Sequence, residues 1–197
     1  MFQPEYPIRT GRLLLRPFAV GDVDALYAYH RLPEVHRYLY SQARSRAEVA
    51  ALVAERAAAT PLTEAGQELH LVAVLADTGE LVGDCVLFWR SEEHQKGEIG
   101  YTFNPAYHGR GLATEAAVAL LRLGFEGLGL HRITGHLDAR NTASARVLER
   151  AGMRREAHLV ENEFVKGEWS DELVYAMLRS EWEVGQALGR GSPAPGT

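Results

Sequence analysis

The sequence predicts a mixed α/β (α+β) domain, a mostly antiparallel sheet with flanking helices, and three observations carry that expectation. Residues 69–75, 81–88 and 97–103 are β-rich runs joined by short polar links, which read as an antiparallel meander. A glycine-rich loop leads from the third run into an alanine-rich helix, and the run at 132–138 returns after that helix, so the crossover makes it parallel to 97–103. The chain's 197 residues, 46% of them hydrophobic, suffice for one well-buried domain and leave two cramped. One folded unit over residues 1–188 is expected, followed by a Gly-, Pro- and Ser-rich tail at 189–197 that reads as disordered.

Each element has its own reason. Residues 12–18 form a short apolar strand closed by Pro17. A helical pattern begins at Asp22, runs through Ala25, Leu26 and Tyr29, and is interrupted by Pro33. Residues 46–59 are alanine-rich with high helix propensity and stop before Pro61. Residues 63–67 are a polar loop, and Ala76-Asp77-Thr78-Gly79-Glu80 is a hairpin turn between the first two meander strands. After the polar link 91–96, Ile99, Tyr101 and Phe103 alternate with Glu98, Gly100 and Thr102, as in a half-buried strand. Asn104-Pro105 ends it, because proline lacks the ladder donor and biases its predecessor away from helical angles. A helix is expected from Thr114 towards Glu126, then a glycine-rich end (Gly124, Gly127, Gly129) before the strand at 132–138. A second helix covers 142–150 and stops at Gly152, a natural C′ residue. Strands at 154–165 and 173–178 flank the turn Lys166-Gly167-Glu168, and residues 181–188 have room for a turn or two of helix.

Residues 98–117 carry the chemistry. Gly109 and Gly111 sit in a loop that opens a helix, where free N–H groups point outward, no Cβ bars a close approach and the helix dipole favours negative charge. The loop reads as a phosphate cradle; the plainer alternative is that its glycines only serve a tight strand-to-helix turn. It lacks G-x-x-x-x-G-K-[ST], which disfavours a P-loop nucleotidase, and G-R-G-L-A-T at 109–114 is only a partial G-x-G-x-x-G, with no acidic residue placed for a ribose. His108-Gly109-Arg110-Gly111-Leu112-Ala113 resembles the acetyl-coenzyme A pyrophosphate loop of the GNAT N-acetyltransferases, [QR]-x-x-G-x-[GA], with Gly111 and Ala113 at the small positions and His108 replacing Gln or Arg. The resemblance implies the GNAT acyltransferase fold, with seven strands and a V-shaped split between strands 97–103 and 132–138 that receives acetyl-coenzyme A. It marks Phe103, His108, Gly109, Arg110, Gly111, Leu112, Ala113, Thr114, Asn141 and Ser144 as coenzyme-binding positions. A strand N–H near Phe103 is placed to polarise the thioester carbonyl.

A second stretch, residues 138–153, resembles the N-x-x-[AS]-x-x-x-[YL]-x-x-x-G-F helix of the same family, with Met153 in place of phenylalanine. Asn141, Ser144 and Leu148 are spaced i, i+3, i+7 and share one helical face. Many members carry a tyrosine at the third position to protonate the departing thiolate; Leu148 has no proton to give. Ser144 matches the arrangement of the RimJ/RimL branch, the ribosomal-protein-alanine acetyltransferases and their relatives, where a hydroxyl near the thiol takes that part. D-A-R-N-x-x-S, K-G-E-W-x-D at 166–171 and E-W at 181–182 point the same way. Glu98 resembles the position of the general base in several members. The plainer readings are an N-cap for Asn141, a first-turn helix residue for Ser144 and a solvated strand-end charge for Glu98, with Glu161 and Glu163 as rival bases.

The implied reaction moves an acetyl group from acetyl-coenzyme A directly to a primary amine. Only the neutral amine attacks: protonation at pH 7 costs an α-amino group of pKa near 8 about 1.4 kcal/mol and a lysine near 10.4 about 4.6 kcal/mol. That favours an N-terminus or a small amine over lysine. An aminoglycoside or other metabolite as acceptor, and a non-catalytic acyl-coenzyme A sensor, remain alternatives. A net charge of −5 with no basic run disfavours a general nucleic-acid binder, so charge for the coenzyme's phosphates falls to single residues such as Arg110, Arg140 and Arg146. Cys85 is the only cysteine and suits a small buried side chain; neither an internal disulfide nor a cysteine-based zinc site can form. The histidines show no ligand pattern, so no metal is expected. No signal-peptide pattern and no apolar run of the roughly 20 residues a bilayer span needs are visible, so a soluble cytoplasmic protein without a membrane partner is expected, and a homodimer is admissible.

Overall fold

Leu69-His70-Leu71-Val72-Ala73-Val74-Leu75 carries apolar side chains on both faces, and the fold supplies a hydrophobic cluster to each. In the computed structural model, which describes residues 1–58 and 61–189, this run forms β3 (Glu68–Leu75). Leu69, Leu71, Ala73 and Leu75 join the main core, while Val72 and Val74 point into a second cluster with Phe18, Leu26, Tyr29, Val49 and Val53. The second cluster lies under α1 (Val23–His30) and α2 (Arg46–Ala57). The main core lies under α3 (Leu112–Arg122) and α4 (Thr142–Arg150), so helices cover both faces of the sheet, as a strand buried on both sides requires. Cys85 is buried in the main core, and burial pushes its thiol up, which leaves it inert.

The remaining elements are β1 (Ile8–Arg9), β2 (Leu13–Arg16), β4 (Leu81–Ser91), β5 (Lys96–Phe103), β6 (Arg132–Asp138), β7 (Arg154–Val165), β8 (Glu168–Leu178) and α5 (Arg179–Ala187). The sheet runs β1-β2-β3-β4-β5-β6-β8-β7. Its pairs are antiparallel except β5–β6, which is parallel as the helix crossover requires. That parallel ladder holds only at Lys96↔Arg132, Gly97↔Ile133 and Glu98↔Thr134. β4 stays on β5 as far as Gly83↔Phe103, and β8 stays on β6 as far as Asp138↔Glu172. Each inner strand is thus held by its outer neighbour and released by the other, and the sheet opens into a V beyond Glu98 and Thr134.

Several expectations change. The described residues form eight strands rather than seven, because β1 is two residues long and too short for alternation to show. α3 starts at Leu112, not Thr114, since Gly111 takes a left-handed φ of 76° as its N-cap. It ends at Arg122, and a wider π turn over Leu123–Gly127 replaces the helix expected to reach Glu126. That turn draws Gly124 onto β6, where a Cβ would come within 2.5 Å of Ile133 Cδ1. β8 begins at Glu168, not Leu173; its polar first half hides it from hydropathy, yet Glu163↔Ser170 and Val165↔Glu168 are paired. The tail, from residue 190, and the last residue of the helix expected over 46–59 lie outside the described residues. Among the described residues no helix is long and apolar enough to cross a membrane.

Candidate active site

The loop between β5 and α3 is shaped by its own residues. Asn104 Oδ1 accepts from Ala106 N at 3.0 Å, which starts a 3-10 turn over Pro105–Tyr107. His108 Nε2–H donates to the Phe103 carbonyl at 3.0 Å and pins the loop to the strand end. Gly109 and Gly111 both have φ of 76°, a region an L side chain rarely occupies, so backbone angle requires glycine there. Nothing lies within 4 Å of a Cβ placed on Gly109, and only Arg12 Nη2, at 3.6 Å, near one on Gly111. The space beside these glycines opens on a cleft. Beneath the loop, Glu115 in the first turn of α3 is buried and accepts from Thr10 Oγ1, from Arg12 N at 2.5 Å and from Arg12 Nε at 2.9 Å. Burial pushes this carboxyl up, but the Thr10 and Arg12 hydrogen bonds outweigh it and hold the pKa below the ordinary value. Arg12 Nη1 also donates to the Arg110 carbonyl at 2.8 Å, so one arginine braces both loop and helix.

On the other wall, Asn141 caps α4: its Oδ1 accepts from Ser144 N at 3.1 Å. Leu148, one turn further, is buried in the main core, which turns Ser144 towards β5. Ser144 Oγ stands 2.9 Å from the Tyr101 hydroxyl, and that hydroxyl also donates to the Ser144 carbonyl at 3.1 Å. Burial raises the Tyr101 pKa to about 12, against the lowering effect of the serine contact, so the phenol remains a proton donor at neutral pH.

Three contiguous cavities follow the split. The first, about 430 Å³, is lined by the glycine-rich loop, the start of α3 and the Asn141–Arg150 face of α4. Its charged lining is Arg146 and Arg150 against Glu34, and Arg146 has no ion-pair partner among the described residues. A gap of about 120 Å³ at the fork of the V is bounded by Tyr101, Ser144, Gly135 and His136. Beyond it a cavity of about 330 Å³ lies between the 37–40 loop and the β7–β8 hairpin. Six carboxylates line this one against three arginines and one lysine, so its bias is negative. Tyr38 and Leu39 border all three.

Of the positions marked in the sequence, Phe103, His108, Gly109, Gly111, Leu112, Ala113, Thr114, Asn141 and Ser144 all line the first cavity. Arg110 does not: its guanidinium lies over the Tyr107 ring, 5.5 Å from the centroid. Arg140 is also removed as a phosphate ligand. It is bound to Asp138 at 2.6 Å and Glu168 at 2.7 Å in the negative cavity. Glu98 lines that cavity too, with its carboxylate accepting from Arg90 Nε at 3.0 Å, so Glu98 and Ser144 face different compartments. Glu163 joins Glu98 there, whereas Glu161 lines none of the three. Sequence reasoning missed Tyr101, Arg150, His136 and Glu172. Only Tyr101 left a signal, as a phenol on the apolar side of an alternating strand that needs a partner once buried.

A sheet forked at a parallel pair, with a glycine-rich helix start on one wall and a capped helix bearing a hydroxyl on the other, defines a coenzyme A-dependent acyltransferase. Residues 12–154 match the acetyltransferase (GNAT) domain, and the chain belongs to that family, whose acyl donor is acetyl-coenzyme A. It is 35% identical over 175 residues to the uncharacterised N-acetyltransferase YnaD of Bacillus subtilis, covering 89% of this chain and 98% of that protein. Over 88 residues it is 27% identical to the [ribosomal protein uS5]-alanine N-acetyltransferase of Escherichia coli, 45% of either chain. A GNAT-family acetyltransferase from Bacillus anthracis superimposes with a TM-score of 0.79 at 33% identity, over 91% of this chain and 99% of that one. Spermidine N-acetyltransferase from Vibrio cholerae, solved with CoA and spermine, has a TM-score of 0.74 over 88% of this chain and 99% of that one; at 23% identity it shares the fold.

Proposed function

We propose that this acetyltransferase acts in the cytoplasm on cationic primary amines, a protein or peptide N-terminus or a small polyamine, in the manner of the RimJ/RimL branch. The observation that carries this reading is the position of the Ser144–Tyr101 pair, at the junction of a cavity whose two arginines outnumber its one carboxylate and one lined by an excess of carboxylates. A polyanionic donor suits the first and a positively charged acceptor the second, by simple charge complementarity.

Main-chain donors around Gly109–Ala113 hold the pyrophosphate, with Arg146 and Arg150 adding charge at the rim. A strand N–H near Phe103 polarises the thioester carbonyl. The Ser144 hydroxyl donates a proton to the departing sulfur, the adjacent Tyr101 hydroxyl replaces it through their 2.9 Å contact, and the pair recovers the proton that the acceptor nitrogen sheds as the amide forms. Glu98 helps to draw the ammonium form of the acceptor into the negative cavity. The E. coli alanine acetyltransferase relative supports an α-amino acceptor, and the fold of the spermidine enzyme supports a polyamine.

The test is coenzyme A release by the full chain with four acceptors: an alanine-initiated peptide, spermidine, an aminoglycoside, and a lysine peptide with a blocked N-terminus. Turnover on either of the first two is expected, with salt raising KM because the cavity's attraction is electrostatic. Transfer to the aminoglycoside alone would replace the acceptor class. Tight acetyl-coenzyme A binding with no transfer to any amine would make the protein a sensor.

A further inference from the structure

His136 lies on β6 two residues beyond the last rung of the parallel ladder, where the strand borders the open fork. His136 lines both the gap that holds Ser144 and Tyr101 and the negative acceptor cavity, and its ring turns to the sheet face of Glu172. Its Nδ1 is 3.0 Å from Glu172 Oε1 on the neighbouring strand. Glu172 is only 9% exposed, and its other oxygen accepts from Asn162 Nδ2 at 2.9 Å. A carboxylate can only accept, so Nδ1 carries the hydrogen and the lone pair of the neutral ring sits on Nε2. Nε2 has no hydrogen-bond partner among the described residues.

Resting on the acetyltransferase reading above, we propose that His136 Nε2 is the base that takes the proton from the acceptor amine, with Glu172 as the residue that positions it. The groups facing His136 from other elements are mostly committed. Glu98 of β5 holds Arg90 of β4, and Asp171 of β8 holds His158 of β7. On β6 itself Asp138 holds Arg140, which also binds Glu168, and the Lys166 ammonium donates to the His36 carbonyl. Arg37 lies 5.3 Å over the Tyr38 ring. Glu163 remains, and it converges on Tyr40, whose phenol is pushed up by burial and by the charges of Glu163, Glu172 and Glu98. Glu163 therefore stands towards the exposed tyrosine, while His136 alone among these bases borders the gap shared with Ser144.

The step balances. The ammonium form of the acceptor loses a proton to His136 Nε2, and the nitrogen lone pair forms the bond to the thioester carbonyl carbon. The carbon–sulfur bond breaks, and the sulfur takes the electron pair and a proton from Ser144. The second proton, which the nitrogen sheds as the amide forms, passes to the Ser144–Tyr101 hydroxyl pair and restores it. The imidazolium then releases its proton to water through the open acceptor cavity.

The test compares His136→Gln and Glu172→Gln with the parent, using the alanine-initiated peptide and spermidine. A base removed from the site typically costs about 10²–10⁴ in rate. We expect His136→Gln to lower kcat about a hundredfold at pH 7 and clearly less at pH 9, where an α-amine of pKa near 8 is already neutral. Spermidine, with more basic amines, should lose more than the peptide at pH 7. The Kd for acetyl-coenzyme A should stay within about threefold in both variants. Independently of turnover, ¹⁵N NMR of the imidazole should show hydrogen on Nδ1 in the parent and a mixed tautomer in Glu172→Gln. A His136→Gln loss that is the same at pH 7 and pH 9, or a parent imidazole carrying its hydrogen on Nε2, overturns the assignment. A parent that transfers to neither amine while binding acetyl-coenzyme A overturns the acetyltransferase reading itself, and the NMR result then reports on the His136–Glu172 pair alone.

Discussion

The cleft beside the glycine-rich loop, proposed above for the coenzyme, and the negative cavity, proposed for the acceptor, meet at Ser144 and Tyr101 but are built on opposite principles. The cleft is made largely of main chain: two left-handed glycines, a helix start, and a loop pinned by His108 and braced by Arg12 and Glu115. The negative cavity is made of side chains, and several of its charges are locked into pairs such as Arg90–Glu98, which joins β4 to β5, and Arg140–Glu168, which joins the β6–α4 corner to β8. Main-chain donors survive most substitutions, so a loop of this kind keeps one ligand across a whole family. Side-chain walls change with every substitution, and acceptor choice can drift while the donor stays the same.

That contrast can be broken most directly at Gly111. Gly111→Val forces a β-branched residue to φ near 76°, strain of about 1–3 kcal/mol added to a blocked approach for phosphate, so the Kd for acetyl-coenzyme A should rise about a hundredfold. Calorimetry on a variant with an unchanged circular dichroism spectrum checks it; undiminished affinity would remove the phosphate cradle. Ser144→Ala should lower kcat about a hundredfold, while leaving that Kd within a few-fold. Adding Tyr101→Phe should cost little more, because in the proposed reaction the two hydroxyls serve one proton path. Parent-level turnover of Ser144→Ala, with chemistry rate-limiting, would reduce Ser144 to a plain helix residue.

Glu115 tests whether the brace under the loop is a stability device. Its folded pKa is depressed below the ordinary value of 4.5, so its contribution is full above that value and disappears as pH falls through the folded pKa. Glu115→Gln should therefore cost about 1–3 kcal/mol in urea denaturation at pH 7, and the gap to the parent should close in acid. A gap that does not narrow as the pH is lowered below 4.5 towards acid unfolding would mean that shape, not charge, holds the brace. The smallest effect is expected at His108, whose ring serves the Phe103 carbonyl and not the ligand: His108→Ala should change coenzyme affinity by no more than about 1 kcal/mol. A larger loss would show that the imidazole has taken the charged role of the usual Gln or Arg.

What the sequence by itself determined was local. Proline and asparagine at 104–105 ended β5, Gly111 started α3, Asn141 capped α4, and the i, i+3, i+7 spacing put Ser144 and Leu148 on one face. Each depends on angles and neighbours within a few residues, which is also why the glycine-rich loop and the helix it opens could be read from their letters. The tertiary structure alone decided the pairs that span the chain: Tyr101 with Ser144 across 43 positions, His136 with Glu172 across 36, and Arg12 with Glu115 across 103. It also decided that Arg140 faces acids, because β6 and β8 stay paired to Asp138↔Glu172 and carry that corner into the negative cavity. No local pattern encodes such partners, because sheet register and the point where β5 and β6 part are set by burial of both faces at once.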